Sequence, residues 1–271
     1  MEMQYCYGCM RQIDTGSVCP HCGYSEQPPQ SHHLKPGTRL RDRYMIGRVI
    51  GEGGFGITYI GLDPVFERKV AIKEFYMPGY VLRDHMVSDE VKTGGGTYGE
   101  MFEKNREKFL NEARVLAKLE GEDGVVGVRD FFEENNTAYL IMDLLRGVTL
   151  QEYVKRHGKL SGAQTLQLLA PVFRALENIH AYGLIHRDIS PDNIMVTEHD
   201  GVKRLSVILK PGYSPEEQYR SKGKQGPWTD LYALCATMYR CITGIVPDDA
   251  MERMFDDKLV PPAELDCDCT Q

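Results

Sequence analysis

His186-Arg187-Asp188-Ile189-Ser190-Pro191-Asp192-Asn193 follows directly on a stretch in which Leu166, Leu169, Phe173, Leu176 and Ile179 recur at helical spacing. Apolar residues at such intervals line one side of an α-helix, so the octapeptide reads as a loop leaving the end of a long helix. Pro171 lies inside that helix, where a lost backbone donor costs about 3 kcal/mol, and a bend or break is expected there. A second helix is expected from Trp228 to Ile242, and the chain from Thr149 onward reads as mainly helical. Upstream the period changes. Apolar and polar residues alternate from Tyr44 to Ile50, Ile57 to Leu62 and Lys69 to Phe75, with strand-like runs at Val125 to Phe132 and Ala138 to Met142. Helical spacing between Phe102 and Leu119 completes a small lobe of strands with one helix.

Gly51-Glu52-Gly53-Gly54-Phe55-Gly56-Ile57-Thr58 lies between two of these strands. A glycine-rich turn that opens a helix suggests a dinucleotide fold, whereas one joining two strands suggests a flap whose N–H groups approach phosphates. Alone, it fits a plain glycine turn equally well. Val70-Ala71-Ile72-Lys73 follows on a strand and Glu112 on the expected helix; taken singly, these are a solvated lysine and a surface glutamate. Taken in order with His186 to Asn193 and Ser214-Pro215-Glu216, the set resembles the bacterial eukaryotic-like serine/threonine protein kinases. Their catalytic loop reads H-R-D-L-x-x-x-N, with Ile189 here at the leucine position. The resemblance runs from residue 44 to about 265. It implies an α+β, two-lobed protein-kinase-like fold, with a β-rich N-lobe over 44–143 and a mainly helical C-lobe over 144–271.

The resemblance also implies ATP and Mg²⁺ as cofactors and proteins as substrates. Asp188 would orient the substrate hydroxyl, Asn193 would bind Mg²⁺, and Lys73, positioned by Glu112, would hold the α- and β-phosphates. Gly51, Gly53, Gly54, Phe55 and Gly56 would cover the phosphates. Backbone groups from Asp143 to Leu145 would meet adenine, with Met142 behind them. Asp230 resembles the aspartate that braces the catalytic loop; it also reads as a carboxylate favoured by a helix N-terminus.

The chain departs from the family in three places. No aspartate lies between Asp200 and Asp230, so the D-F-G triplet and most of the activation segment are missing. Loss of that metal ligand would remove several kcal/mol of charge stabilisation. Ser190 stands where a lysine is usual, and the C-lobe is expected to be incomplete at Gln271. A catalytically inactive pseudokinase or scaffold that binds nucleotide and a partner protein is therefore the alternative to an active kinase. The losses come as blocks while Lys73, Glu112, Asp188 and Asn193 remain, which favours a segment omitted from an active kinase over residue-by-residue decay.

Residues 1–26 carry a separate signal. Cys6-Tyr7-Gly8-Cys9 and Cys19-Pro20-His21-Cys22 are two C-x-x-C knuckles, a pattern that suits one tetrahedral Zn²⁺ with no position left for chemistry. A piece of about 25 residues cannot build its own core, and metal binding supplies the missing folding free energy. Two disulfides or a redox pair are the other possibility. Residues 27–43 are polar and proline-rich and read as an extended linker. Tyr76 to Gly99, with Gly94-Gly95-Gly96, reads as a flexible insertion. Cys235 and Cys241 are expected to be buried thiols in an apolar helix.

The 271 residues are 42% hydrophobic and 26% charged, an ordinary globular composition. A formal charge of -7 gives no basic field, and the ribbon holds one arginine and no lysine, so no nucleic-acid partner is expected. No run approaches the roughly 18 apolar residues of a membrane span, and Met1 to Tyr7 lacks the features of a signal peptide. The chain reads as cytoplasmic.

Overall fold

The alternation that begins at Tyr44 builds an antiparallel sheet in the computed structural model, which describes residues 4–14, 16–28, 30–54, 56–121, 124–197, 201–204, 212–219, 223–265 and 267. The chain divides into two units, Met1–Glu120 with Gly127–Leu144, and Gly121–Val126 with Leu145–Gln271.

The first unit opens with a small hairpin, β1 (Gln4–Tyr5) and β2 (Gln12–Ile13). There follow β3 (Arg39–Leu40), β4 (Tyr44–Gly53), β5 (Gly56–Asp63), β6 (Arg68–Phe75), the short pair β7 (Val81–Leu82) and β8 (Lys92–Thr93), helix α1 (Thr97–Lys118), β9 (Val128–Glu134) and β10 (Thr137–Asp143). Six of these strands form one sheet in the order β3-β4-β5-β6-β10-β9. The five strands read from the sequence are all present, with β3 added at the edge. Ile46, Ile57, Tyr59, Ile72, Tyr139 and Ile141 are wholly buried. Helix α1 buries Phe102, Phe109, Leu110 and Ala113, and Phe75 of β6 meets Phe102 and Phe109 with ring centres 5.1 and 5.5 Å apart. Its first turn, with Tyr98 and Met101 exposed, lies on no apolar stripe, which is why the sequence pattern starts only at Phe102.

Three expectations are corrected in this unit. The 27–43 segment is packed: Leu34 and Leu40 are buried, β3 pairs with β4, and Leu34 N–H donates to the Tyr59 hydroxyl at 3.1 Å. Two leucines among polar residues are too sparse to register as a period. The 76–99 insertion is folded, with Tyr76, Met77, Val81 and Val91 buried, and its Arg83 forms an ion pair with Glu74 in which both side chains are 0% exposed. Strand β9 starts at Val128 rather than Val125.

The cysteine-bearing hairpin lies on the sheet. Arg48 donates from its backbone N–H to Tyr7 O (2.8 Å) and from Nε to Gly8 O (3.1 Å). Met10 packs with Ile60 and Leu62, flanked by Tyr5, Tyr7 and Met45. Gly47 makes this possible, because a Cβ there would lie 2.3 Å from Met10 Cε and 2.5 Å from Tyr7 O.

The second unit contains β11 (Gly147–Thr149), α2 (Leu150–His157), α3 (Gly162–Ala181), β12 (Ile194–Thr197), β13 (Gly201–Arg204), α4 (Glu216–Tyr219), α5 (Pro227–Thr243) and α6 (Ala250–Arg253), and its three strands pair in the order β11-β12-β13. Thr149 with Glu152, and Ser161 with Gln164, form capping boxes that satisfy the free N–H groups opening α2 and α3. Helix α5 starts at Pro227 and is capped after Thr243 by Gly244 with φ 76°, the usual placing of these two residues.

Of the bend or break expected at Pro171, the break does not occur: helix α3 is continuous through it. The lost bond costs about 3 kcal/mol, while burial of Leu169, Val172 and Leu176 is worth about 1.5–3 kcal/mol each. Its buried line is Thr165, Leu169, Val172, Leu176 and Ile179; Leu166 and Phe173 face outward. Gly124 approaches this helix so closely that a Cβ would sit 2.4 Å from Pro171 O. Cys241 is buried as expected, whereas Cys235 is exposed. The segment where a D-F-G triplet is missing falls largely on 198–200 and 205–211, outside the described residues.

Candidate functional site

In the first unit the glycine turn joins β4 to β5, with Glu52 opposite Ile57 and Gly53 opposite Gly56. Gly56 has a steric reason: a Cβ there would lie 2.6 Å from Glu74 O, whereas at Gly51 it would meet nothing. Phe55 is outside the described residues. Lys73 sits on β6 between Thr58 of β5 and Leu140 of β10, half-buried. Lys73 and Phe75 share a face of the sheet, and Phe109 and Glu112 share a side of α1. The contact between Phe75 and Phe109 therefore sets the lysine and the glutamate on facing surfaces.

Next to Lys73, Glu74 is wholly buried and fully engaged. It accepts from Tyr59 Oη (3.0 Å), Tyr139 Oη (2.8 Å) and the Arg83 guanidinium. Arg83 also donates to His32 O (2.9 Å) and Asp89 O (2.8 Å). Burial and the Glu74 charge hold both tyrosine hydroxyls well above their ordinary pKa. At the end of β10, Met142 is buried, and Asp143 donates its N–H to Gly127 O (2.9 Å) and binds Arg129 at 2.7 Å through each carboxylate oxygen. Leu145 follows, half-buried, in the second unit.

In the second unit His186 to Asn193 forms the irregular segment between α3 and β12. Asp230, wholly buried near the start of α5, accepts from His186 N (2.7 Å) and His180 Nε2 (2.7 Å) at one oxygen and from Arg187 N (2.6 Å) at the other. Arg187 has φ 67°, a conformation that costs a non-glycine residue about 1–2 kcal/mol. Charge-assisted bonds from Asp230 hold it there. Gln218 Nε2 adds a bond to Arg187 O (2.7 Å). Asp188 donates its N–H to His186 Nδ1 (3.2 Å), and Asn193 Nδ2 donates to Asp188 O (3.2 Å), a bond that uses a donor of the amide and not its acceptor oxygen. Ile189 and Ile194 enter the core with Leu150, Leu169, Leu176 and Leu234, so the loop is anchored on both sides of Asn193. Ser190, where a lysine is usual, is wholly buried. Sequence reading did not single out His180 or Gln218; both act through backbone or through Asp230, and nothing in their residue types signals it.

The four thiols of the N-terminal hairpin converge. Their sulfurs all lie within 4.8 Å of one another, with Cys6 to Cys22 at 3.7 Å and Cys9 to Cys19 at 3.9 Å. Tetrahedral Zn²⁺ with bonds of about 2.3 Å separates its sulfurs by about 3.8 Å, so the set fits that ion. A disulfide needs about 2.05 Å. The knuckles match each other. Met10 N–H bonds to Cys6 O (2.7 Å) and Gly23 N–H to Cys19 O (2.9 Å), with φ of 52° and 69°. Gly8 and His21 each point an N–H at the first sulfur of their knuckle. Burial pushes the Cys6 thiol up to about 12, whereas Cys19, although burial also opposes its ionisation, is lowered to about 7 by hydrogen bonds from the N–H of His21 and the Cys6 thiol.

Comparison with known proteins adds a family. The model described as "Protein kinase domain" matches residues 44–206. Serine/threonine-protein kinase PknA of Mycobacterium tuberculosis is 36% identical over 232 residues, covering 78% of this chain and 49% of that protein. A probable serine/threonine-protein kinase of Clostridium acetobutylicum is 29% identical over 255 residues, covering 86% of this chain and 36% of that one. The solved apo form of PpkA-294 is 35% identical with a TM-score of 0.74, covering 86% of this chain and 87% of that chain. The chain thus spans between a third and a half of the length of these curated relatives. Among the described residues no helix is long and apolar enough to cross a membrane.

Proposed function

The chain belongs to the protein kinase domain family, and from that premise we propose that it is an ATP-dependent serine/threonine protein kinase acting on protein substrates in the cytoplasm. The observation that carries the reading is the grip of Asp230 on His186 and Arg187, which fixes the backbone leading into Asp188. Phosphoryl transfer asks little covalent help and much positioning. Asp188 would orient the substrate hydroxyl, Lys73 with Glu112 would hold phosphates, and the glycine turn from Gly51 to Gly56 would cover them. Asn193, with its amide oxygen uncommitted to Asp188, would hold Mg²⁺, which supplies charge neutralisation at the phosphates when bound. Backbone groups of Asp143 to Leu145 would meet adenine.

The absence of any aspartate between Asp200 and Asp230 favours a second reading, a pseudokinase that binds nucleotide without turnover. Incubation with γ-labelled ATP and a generic protein acceptor separates the two. An active kinase labels protein, and Asp188→Asn loses at least a hundredfold of that labelling. Nucleotide binding without Mg²⁺, and no labelling above the Asp188→Asn level, would establish the second reading instead.

For residues 1–26 we read a zinc ribbon with a structural Zn²⁺ held by Cys6, Cys9, Cys19 and Cys22. Because Met10 packs on Ile60 and Leu62, chelation should lower the unfolding midpoint of the first unit as well as release one metal equivalent. An unchanged midpoint after metal release would show that the hairpin folds without the ion.

A further inference from the structure

A second group of metal-type donors lies away from the cysteines. His32 Nε2 is 2.8 Å from Glu52 Oε1 and His33 Nε2 is 3.0 Å from Glu52 Oε2, and the three residues' donor atoms all lie within 4.8 Å of one another. Glu52 belongs to the glycine turn of β4, and the histidines belong to the segment between the hairpin and β3. Adjacent residues in an extended chain point apart; here a turn closed by His33 N–H on Gln30 O (2.9 Å) brings both rings to the same carboxylate, with ring centres 4.3 Å apart.

The backbone that carries the rings is fixed from several directions. His32 O accepts from the buried Arg83, Leu34 N–H donates to Tyr59 Oη, and Ser31 O accepts from His85 N–H (3.0 Å). The ring of His85 bonds Gln30 O at 3.1 Å. Arg83 and Tyr59 meet in turn at Glu74. The backbone that carries the two histidines is therefore held by the same buried network that stands beside Lys73.

We propose that His32, His33 and Glu52 form a binding site for a divalent transition-metal ion of the Zn²⁺ class, distinct from the four-cysteine site. Two imidazole nitrogens and a carboxylate suit such an ion, and Mg²⁺ or Ca²⁺, which prefer oxygen ligands, poorly. Ligand atoms around tetrahedral Zn²⁺ with bonds of about 2.0 Å lie about 3.3 Å apart, within the 2.8–4.8 Å over which these donor atoms already gather. Three protein ligands leave a fourth position for water. A bound ion would tie the glycine turn to the segment before β3, so occupancy of the site would restrain that turn.

The test is a metal count on the full chain. Protein already carrying one tightly held equivalent of Zn²⁺ is titrated with Co²⁺ alone, and metal per chain is measured after removal of free ion. We expect a second equivalent that adds visible d–d bands without near-ultraviolet thiolate charge transfer. Glu52→Gln, which keeps the size of the side chain and an acceptor oxygen, and His32→Ala should each weaken that second equivalent by more than about a hundredfold, beyond the effect of losing an outer-shell partner. A wild-type chain that takes up only one metal overturns the proposal. So does a second equivalent with thiolate charge transfer, or one that Glu52→Gln binds as well as wild type. If neither variant folds, the Co²⁺ spectrum of the wild type decides alone.

Discussion

Glu74 and Asp230 are both wholly buried carboxylates beside a sequence motif, one next to Lys73 and the other bonded to the backbone of His186 and Arg187. They are stabilised in different ways. Glu74 faces a full positive charge, the guanidinium of Arg83, with two tyrosine hydroxyls completing its hydrogen bonds. Asp230 faces two backbone N–H groups and the His180 ring. A charge partner ties one element to another, here the insertion to the sheet. Backbone donors fix the path of the chain itself, including the unfavourable φ of Arg187. The first carboxylate thus secures a scaffold, and the second holds a conformation.

That distinction predicts unequal damage. Arg83→Ala leaves Glu74 buried without its cation, and it should destabilise the first unit by about 3–5 kcal/mol, read as a fall in the urea midpoint. A loss below about 1 kcal/mol would mean that the ion pair does not organise the insertion. Asp230→Asn keeps the volume but loses charge and turns an amide donor towards donors. It should cost about 2–3 kcal/mol, with hydrogen exchange at His186 and Arg187 rising more than at the core of α5. Uniform acceleration across the unit would make Asp230 a scaffold group like Glu74.

The glycines of the β4–β5 turn extend the comparison to the backbone. Gly56→Ala drives a Cβ towards Glu74 O and should cost about 1–3 kcal/mol, whereas Gly51→Ala should stay within about 0.5 kcal/mol in thermal unfolding. Equal effects would show that the turn relaxes freely. A smaller effect concerns acid. Asp63, although burial opposes its ionisation, is held below the ordinary carboxylate range by Arg43. Its contribution is present above that range and lost as pH falls through the folded pKa. Asp63→Asn should therefore flatten the acid side of the stability profile; an unchanged profile would assign that slope to other carboxylates.

The order of strands and helices could be read from the sequence because alternation and helical spacing are strong over β4–β6, α1 and α5. The motif from His186 to Asn193 was equally plain, since its residues are consecutive. What the sequence did not reveal depends on single residues meeting across long separations. Leu34 and Leu40 bury a segment that reads as polar, and Arg83 reaches Glu74 from an insertion that reads as loose. His180 lies 50 positions from the carboxylate it serves. Pro171 shows the opposite failure, a local rule outweighed by the burial of its neighbours.

The glycine at position 47 bears on how this protein can be cut. The family match begins at residue 44, yet Met10 and Tyr7 fill the space that Gly47 leaves open, against Ile60 and Leu62. A fragment started at Tyr44 for expression would uncover Ile60 and Leu62 and lose the bonds that Arg48 makes to the hairpin. The smallest piece to clone for soluble material therefore starts ahead of Tyr5, not where homology starts.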